Sequence, residues 1–302
     1  MTRILVSGLI NVETTVRVEG FPLQYNPVNY PFHGVDSTVS GVGYNVAKAL
    51  TVLGDRVDFL SVVGRDLAAK MVFQALSDDG LQRRFVVPAT DRTAQSAILY
   101  DPAGRRQIHV DLKDVQEAVY PVDLFELALD RCSLAVLCNI NFSRPFLAAA
   151  AGASIPIATD VHAISDVDDA YNRDFMRSAR ILFLSDEHLP CPPEQWVHKA
   201  LERYSPAVIV VGLGAAGALL AVPADGFVGR FPAVAIRPVV NTIGAGDALF
   251  SCFVHAYARS NDPYEALRKA QVFASHKIGE KGAADGFLDA AALAELDERL
   301  RA

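Results

Sequence analysis

Asn241-Thr-Ile-Gly244-Ala-Gly246-Asp247 runs directly into the apolar helical stretch Ala248-Leu-Phe-Ser-Cys-Phe-Val254. Two glycines and an alanine at a helix entrance expose unpaired backbone N–H groups at the positive end of the helix dipole, which suits an anionic oxygen. Asp247 falls in the first turn beside them. A carboxylate there is most often only a helix-terminus charge. Next to an anion hole it also suits removal of a proton from a hydroxyl as a phosphoryl group arrives. The same stretch divides the chain. Upstream, short β-branched runs at residues 4–7, 57–62, 133–137, 155–159, 181–184 and 208–211 alternate with helix-period segments at 45–53, 67–76, 122–129, 146–151 and 194–204. That is the α/β pattern of a mostly parallel sheet covered on both faces. Downstream the chain reads as helix after helix, with Pro263 at one helix start and 288–300 as a last amphipathic piece.

Two stretches break the alternation. Residues 12–39 are rich in Pro, Asn and Tyr, and residues 93–112 read as a hairpin about the turn Asp101-Pro-Ala-Gly104. Strands that belong to no layer of the main sheet need another partner, and a small sheet over one edge supplies it. Such a lid would exclude water from a site beneath it. Its aromatic and imidazole side chains, Tyr25, Tyr30, His33, Tyr100 and His109, could stack on a nucleobase or hold the lid together. No internal repeat or low-complexity linker splits the chain, so residues 1–302 are expected to form a single domain with a lid built from the two insertions.

The 302 residues carry 28 Lys plus Arg against 35 Asp plus Glu, a net charge of −7. That balance argues against a dedicated nucleic-acid or anionic-membrane surface, both of which need a clustered positive field. The longest apolar stretches, at 206–211 and 215–222, fall well short of the roughly 20 residues of a membrane-spanning helix. The N-terminal apolar run is interrupted by Asn11 and Glu13 and reads as a first strand rather than a signal peptide. Cys132, Cys138, Cys191 and Cys252 are scattered without a CxxC pair, so reduced thiols and a cytoplasmic location are expected.

Two more glycine clusters stand out. Gly212-Leu-Gly214-Ala-Ala-Gly217 follows a strand and matches GxGxxG, but the dinucleotide pattern needs a helix next and an acid about 20 residues on. Here Ala218-Leu-Leu-Ala-Val222 and the turn Ala224-Asp-Gly226 read as a strand and hairpin, and Arg237 stands at the place of the acid. An NAD-dependent oxidoreductase is therefore a distant reading, although such a turn still lets a nucleotide approach the backbone. The other cluster is Ser40-Gly41-Val-Gly43-Tyr-Asn45, in which Asn45 offers a donor and an acceptor to a polyol or serves as a helix N-cap. No GxxxxGK[ST] is present, so a nucleoside triphosphate would not be held by a P-loop.

Together these motifs resemble the PfkB family of carbohydrate kinases, the ribokinase-like group. The C-terminal signature DTxGAGD stands here as Asn241 to Asp247, and the N-terminal signature GGxGxNxA as Ser40 to Ala47. The resemblance implies a ribokinase-like α/β fold, a mostly parallel central sheet flanked by helices with a small β lid. It implies an ATP-dependent kinase that transfers the γ-phosphoryl group to a hydroxyl of a sugar or related polyol, with Mg²⁺. Asp247 is then the base, and Gly244, Ala245 and Gly246 form the anion hole. Asn11, Glu13, Gly41, Gly43, Asn45 and Asn139 are implied to face the sugar. Gly212, Gly214, Gly217, Ser185 and Gln271 are implied to contact ATP, and Glu187 to help order Mg²⁺. Asn241, Ile243 and Gly282 mark a site for a monovalent cation such as K⁺.

The chain departs from the family at several of these positions. Glu13 stands where Asp is usual, Asn241 where the cation site has Asp, and Ser185-Asp-Glu-His188 where NxxE is expected. Val42 replaces a Lys of ribokinase itself, and Asn139 or Asn141 a Glu, which disfavours ribose. Two other readings are a nucleoside kinase of the same family and a noncatalytic sugar or nucleotide sensor that kept the fold. The drift at Glu13, Asn241, Ser185 and Cys252 motivates the sensor. A homodimer paired through the lid is allowed.

Overall fold

Apolar residues on both faces of the same strand mark a sheet buried on both sides, and alternate residues divide cleanly between two cores. Ile4, Val6, Phe59, Ile181, Phe183, Val208 and Val210 belong to one core, and Leu5, Leu60, Leu182, Leu184, Ile209 and Val211 to the other. In the computed structural model, which describes residues 2–301, this pattern builds thirteen strands in two sheets. They are β1 (Arg3–Ser7), β2 (Asn11–Arg17), β3 (Val35–Ser40), β4 (Arg56–Val63), β5 (Val86–Pro88), β6 (Gln95–Tyr100), β7 (Arg106–Asp111), β8 (Leu134–Leu137), β9 (Ile157–Ala163), β10 (Ile181–Ser185), β11 (Val208–Gly212), β12 (Ala218–Val222) and β13 (Phe227–Phe231).

The main sheet runs β13-β12-β11-β10-β9-β8-β1-β4-β5. It is parallel from β11 through β5, and β12 and β13 add an antiparallel edge. Its helices are α1 (Val42–Val52), α2 (Leu67–Asp78), α3 (Val122–Leu129), α4 (Arg144–Gly152), α5 (Arg173–Ser178), α6 (Pro193–Arg203), α7 (Ala245–Ser260), α8 (Pro263–Lys277) and α9 (Ala290–Arg301). The first two and last three pack on one face, and α3 to α6 cover the other. Strand order reverses between β1 and β8, and in open α/β sheets the crevice outside the carboxyl ends at such a switch point is where ligands bind.

The sheet differs from the sequence-based expectation in detail. The strand expected at 155–159 begins only at Ile157 and runs to Ala163, because the N–H of Ile155 closes α4 on the Ala150 carbonyl at 2.9 Å. β5 and α5 are additional short elements.

The extended insertions form a separate four-stranded sheet, β3-β2-β6-β7. β6 and β7 pair as the expected hairpin, with the Asp101 carboxylate accepting from the N–H groups of Ala103 at 3.1 Å and Arg105 at 2.9 Å. Ile98 on β6 packs with Ile243 and Ala283, so this sheet rests on the segment that leads into α7. Among the described residues no helix is long and apolar enough to cross a membrane.

Candidate active site

The entrance to α7 is shaped by Gly244. Its φ of +74° lies in the left-handed region, and a Cβ there would run into the Ala283 carbonyl, so both conformation and space demand glycine. The N–H of Ala245 donates to the Thr242 carbonyl at 3.2 Å. The amides of Gly244, Gly246 and Asp247 have no hydrogen-bond partner among the described residues. Of the expected trio only the Ala245 amide is engaged, and the Asp247 amide adds a further free donor. The space beside Gly246 is open, with no atom within 4 Å of where a Cβ would sit.

The N-terminal cluster arrives at this point from the far end of the chain. Asn45 lies inside α1 rather than at its cap, which is Gly41. Its Nδ2 donates to Asp247 Oδ2 at 2.7 Å across 202 residues of sequence, and Ser40 Oγ donates to Asn45 Oδ1 at 3.4 Å. Gly43 has a different role from the one expected. A Cβ there would strike the backbone of Gly8, so the close approach is that of α1 to the end of β1. Gly41 likewise faces the Leu9 carbonyl, 2.7 Å from a would-be Cβ.

Asn11 and Glu13 alternate along β2 and so share a face. Both are buried. Asn11 Nδ2 donates to Ser96 Oγ at 3.1 Å, but Asn11 Oδ1 and Glu13 Oε1 have no partner. Burial pushes the Glu13 carboxyl above the usual range, against a hydrogen bond with Ser40; the Asp247 charge adds to the rise and Lys277 opposes it. Burial also raises Asp247, against the Asn45 hydrogen bond and the His162 charge, while nearby Asp160 raises it further.

Lys277, Asp160 and His162 are members of the site that no motif announced. Lys277 closes α8, where a lysine is the ordinary partner of a helix C-terminus. Here its side chain is fully buried and Nζ donates to the Ile243 carbonyl. Burial pushes the ammonium down to about 8, against the attraction of Asp247, Asp285 and Glu13. Asp160 and His162 come from the carboxyl end of β9, where a strand-terminal acid carries no recognisable spacing.

The other expected residues are placed as follows. Ser185 and Gly212 are register partners at the ends of β10 and β11, and Ser185 Oγ accepts from the Glu187 N–H at 3.2 Å. Gly212, Gly214 and Gly217 form the turn between β11 and the antiparallel β12, closed by Leu213 N–H to the Gly217 carbonyl at 2.9 Å. No helix follows, as a dinucleotide fingerprint would require. Gln271 Nε2 donates at 3.0 Å to both the Phe231 and Pro232 carbonyls, which ties α8 to the end of β13 and leaves no amide donor for an adenine. Asn139 joins a different network: Nδ2 donates to Asn172 Oδ1 at 2.9 Å and its carbonyl accepts from Tyr171 at 3.0 Å. Asn241 Oδ1 accepts from the Ile243 N–H at 2.8 Å, Nδ2 donates to the Lys281 carbonyl at 3.0 Å, and the Gly282 carbonyl accepts from the Asp285 N–H at 3.4 Å.

This arrangement has counterparts in known proteins. The family model described as "pfkB family carbohydrate kinase" matches residues 1–138 and 193–290. A deoxyribokinase of Salmonella typhi is 27% identical over 258 residues, covering 80% of this chain and 82% of its own. An ATP-dependent ribose-1-phosphate kinase of Halopiger xanaduensis is 25% identical over 303 residues, covering 99% of each chain. The solved structure of a microbiome-derived acarbose kinase superposes with a TM-score of 0.88 at 25% identity, covering 99% of each chain. With the paired signatures in contact and a family match over most of its length, this chain belongs to the pfkB family of carbohydrate kinases, phosphotransferases with an alcohol group as acceptor.

Proposed function

We propose that the protein transfers the γ-phosphoryl group of ATP to a hydroxyl of a small sugar, with Asp247 as the base. The observation that carries this reading is the 2.7 Å contact of Asn45 with Asp247. It brings a carboxylate and the free amides of the α7 entrance to the Ser40–Asn45 segment, whose Ser40 is the register partner of Asn11 on the strand that carries the two unanswered acceptors. Asp247 takes the proton of the acceptor hydroxyl, and Asn45 holds the carboxylate in place. The amides of Gly246 and Asp247, at the N-terminus of α7, receive the negative charge that develops on the transferred group. Asn11 Oδ1 and Glu13 Oε1 accept hydrogen bonds from the sugar's other hydroxyls, which would repair the cost of leaving them buried and unpaired.

The nucleotide lies along the turn at Gly212–Gly217, with Gly214 facing open space and Ser185 beside it. Asp160 within β9 and Glu187 just after the neighbouring β10 offer the one or two carboxylates that Mg²⁺ takes when it is carried on phosphates. The ion supplies neutralising charge to the phosphate oxygens when bound. The small sheet acts as a lid, and its contact through Ile98 with Ile243 excludes water from the anion hole. A sugar is favoured over a nucleoside because two of the lid-segment tyrosines are not held in a base-stacking arrangement. Tyr25 and Tyr30 are exposed, and Tyr30 stacks on Phe32 at 6.2 Å.

ATP turnover over a panel of pentoses, hexoses, sugar phosphates and nucleosides tests this reading. Turnover on at least one sugar is expected. No turnover on any acceptor, together with ligand-induced thermal stabilisation, would make the protein a sensor instead.

A further inference from the structure

A monovalent cation beside the anion hole would need oxygen ligands and a negative charge. The positions expected to supply them here are neutral or already engaged. Asn241 is neutral, and both ends of its amide are engaged, Oδ1 by the Ile243 N–H and Nδ2 by the Lys281 carbonyl. The Gly282 carbonyl is taken by the Asp285 N–H. The Ile243 carbonyl accepts from Lys277 Nζ. A second cation also stands nearby: Arg106 donates to Thr242 Oγ1 at 2.6 Å. The residues present do not fit a bound potassium ion.

They do fit an internal one. Lysine is almost never fully buried without a partner, and Lys277 has no exposed surface. Acids from three separate segments, Asp247 on α7, Asp285 in the loop after α8 and Glu13 on β2, attract its charge, while Arg106 opposes it. Its one hydrogen-bond acceptor among the described residues is the carbonyl immediately before Gly244. A donor fixed at that carbonyl holds the 242–245 turn from behind, and that turn aims the Gly246 and Asp247 amides.

We propose that the ammonium of Lys277 takes the place of a monovalent cation, positioning the Ile243–Gly244 turn so that phosphoryl transfer by this protein needs no potassium. Lys277 is then a positioning residue acting through the Ile243 carbonyl, not a group that touches substrate. The proposal rests on the kinase reading above, but its test does not depend wholly on it.

The test compares KCl with tetramethylammonium chloride at equal ionic strength, read by ATP turnover and by thermal unfolding. Wild-type protein should show less than a twofold rate difference and no potassium-specific shift in Tm. Lys277→Ala opens a cavity the size of the lost side chain. Its kcat should fall roughly tenfold or more, as for a weakened anion hole, with the KM for the sugar little changed. Ammonium or potassium ions should then restore part of kcat and raise Tm in this variant. Lys277→Met fills the same space without charge, so it should be impaired and not rescued, a contrast that a purely structural lysine would not produce. Potassium activation or potassium-specific stabilisation of the wild-type protein would overturn the proposal, as would full kcat in Lys277→Met. If the wild-type protein turns over no acceptor, the kinase reading fails separately, and the Tm response to potassium still decides this one.

Discussion

Two polar networks lie at the carboxyl edge of the central sheet, built from similar side chains, and they end differently. One surrounds Asn139, just after β8. Asn139 meets Asn172, Tyr171 meets the Asn139 carbonyl, Asn141 Nδ2 meets the Gln116 carbonyl at 3.1 Å, and Arg144 meets the Tyr171 carbonyl at 2.9 Å. The network closes on itself. The other links Glu13, Ser40, Asn45 and Asp247, with Asn11 on the same strand as Glu13, and it stops short, with Asn11 Oδ1, Glu13 Oε1 and the backbone amides of Gly244, Gly246 and Asp247 unanswered. Each buried unsatisfied polar group costs about 1–3 kcal/mol. A fold can carry that cost where a ligand completes the bonds, which is why we propose the unfinished network as the site and the finished one as scaffold.

The strongest way to break this contrast is at Asp247. Asp247→Asn keeps the size and the Asn45 neighbour but removes the base, and kcat should fall by roughly 10²–10⁴. Steady-state turnover with a saturating acceptor measures it, and an unimpaired variant would remove Asp247 from the role of base. The pH dependence follows from the same group. Its carboxyl is raised above the ordinary aspartate value, so kcat/KM should drop as pH falls through a limb above that value. The stability sign is opposite. With the folded-state pKa above the unfolded one, the charged carboxylate costs stability at neutral pH, and the cost disappears below the unfolded value. Asp247→Asn should therefore unfold at the same or a higher temperature while losing its activity.

How much of this was legible depends on the kind of signal each part leaves. The central strands were readable because burial on both faces forces continuous β-branched runs, and the hairpin because Asp101-Pro-Ala-Gly104 has only one cheap geometry. The α7 entrance was readable because a left-handed residue against the Ala283 carbonyl must be glycine. The partner of Asn139 was not legible, because an asparagine after a strand looks the same whether its amide faces a ligand or Asn172. The partners of Gln271 were hidden for the same reason, since only packing shows its Nε2 spent on the Phe231 and Pro232 carbonyls. That Gly43 makes room for the backbone of Gly8 was likewise hidden, because a glycine in a motif does not say what approaches it. Lys277 and Asp160 left no signal, because their importance comes from which distant segments surround them, and residue spacing does not encode that.

A smaller effect is expected at Glu13. Glu13→Leu removes the orphaned acceptor and the like charge beside Asp247 while filling similar volume. Losing one hydrogen bond to a substrate hydroxyl should raise the sugar KM about threefold to tenfold with kcat less affected. Because burial holds this carboxyl above its ordinary value, its removal should leave the folding stability unchanged or improved. A variant with a lower Tm and an unchanged KM would place Glu13 among the scaffold residues and blur the line between the two networks.

The smallest catalytic effect should come from Asn139→Ala, which tests the contrast from its closed side. The change strips Asn172 Oδ1 of its Asn139 donor and leaves the Tyr171 hydroxyl its backbone acceptor, so the loss is local and structural. Stability should fall by about 1 kcal/mol, the usual net worth of one hydrogen bond, while kcat and the sugar KM stay within about twofold. Thermal unfolding and steady-state kinetics on the same preparation separate the two effects. The opposite result, a raised sugar KM at constant Tm, would mean that the Asn139 amide leaves Asn172 when substrate binds. The closed network would then be a resting state of the same pocket, and closure of hydrogen bonds would no longer distinguish scaffold from site in this fold.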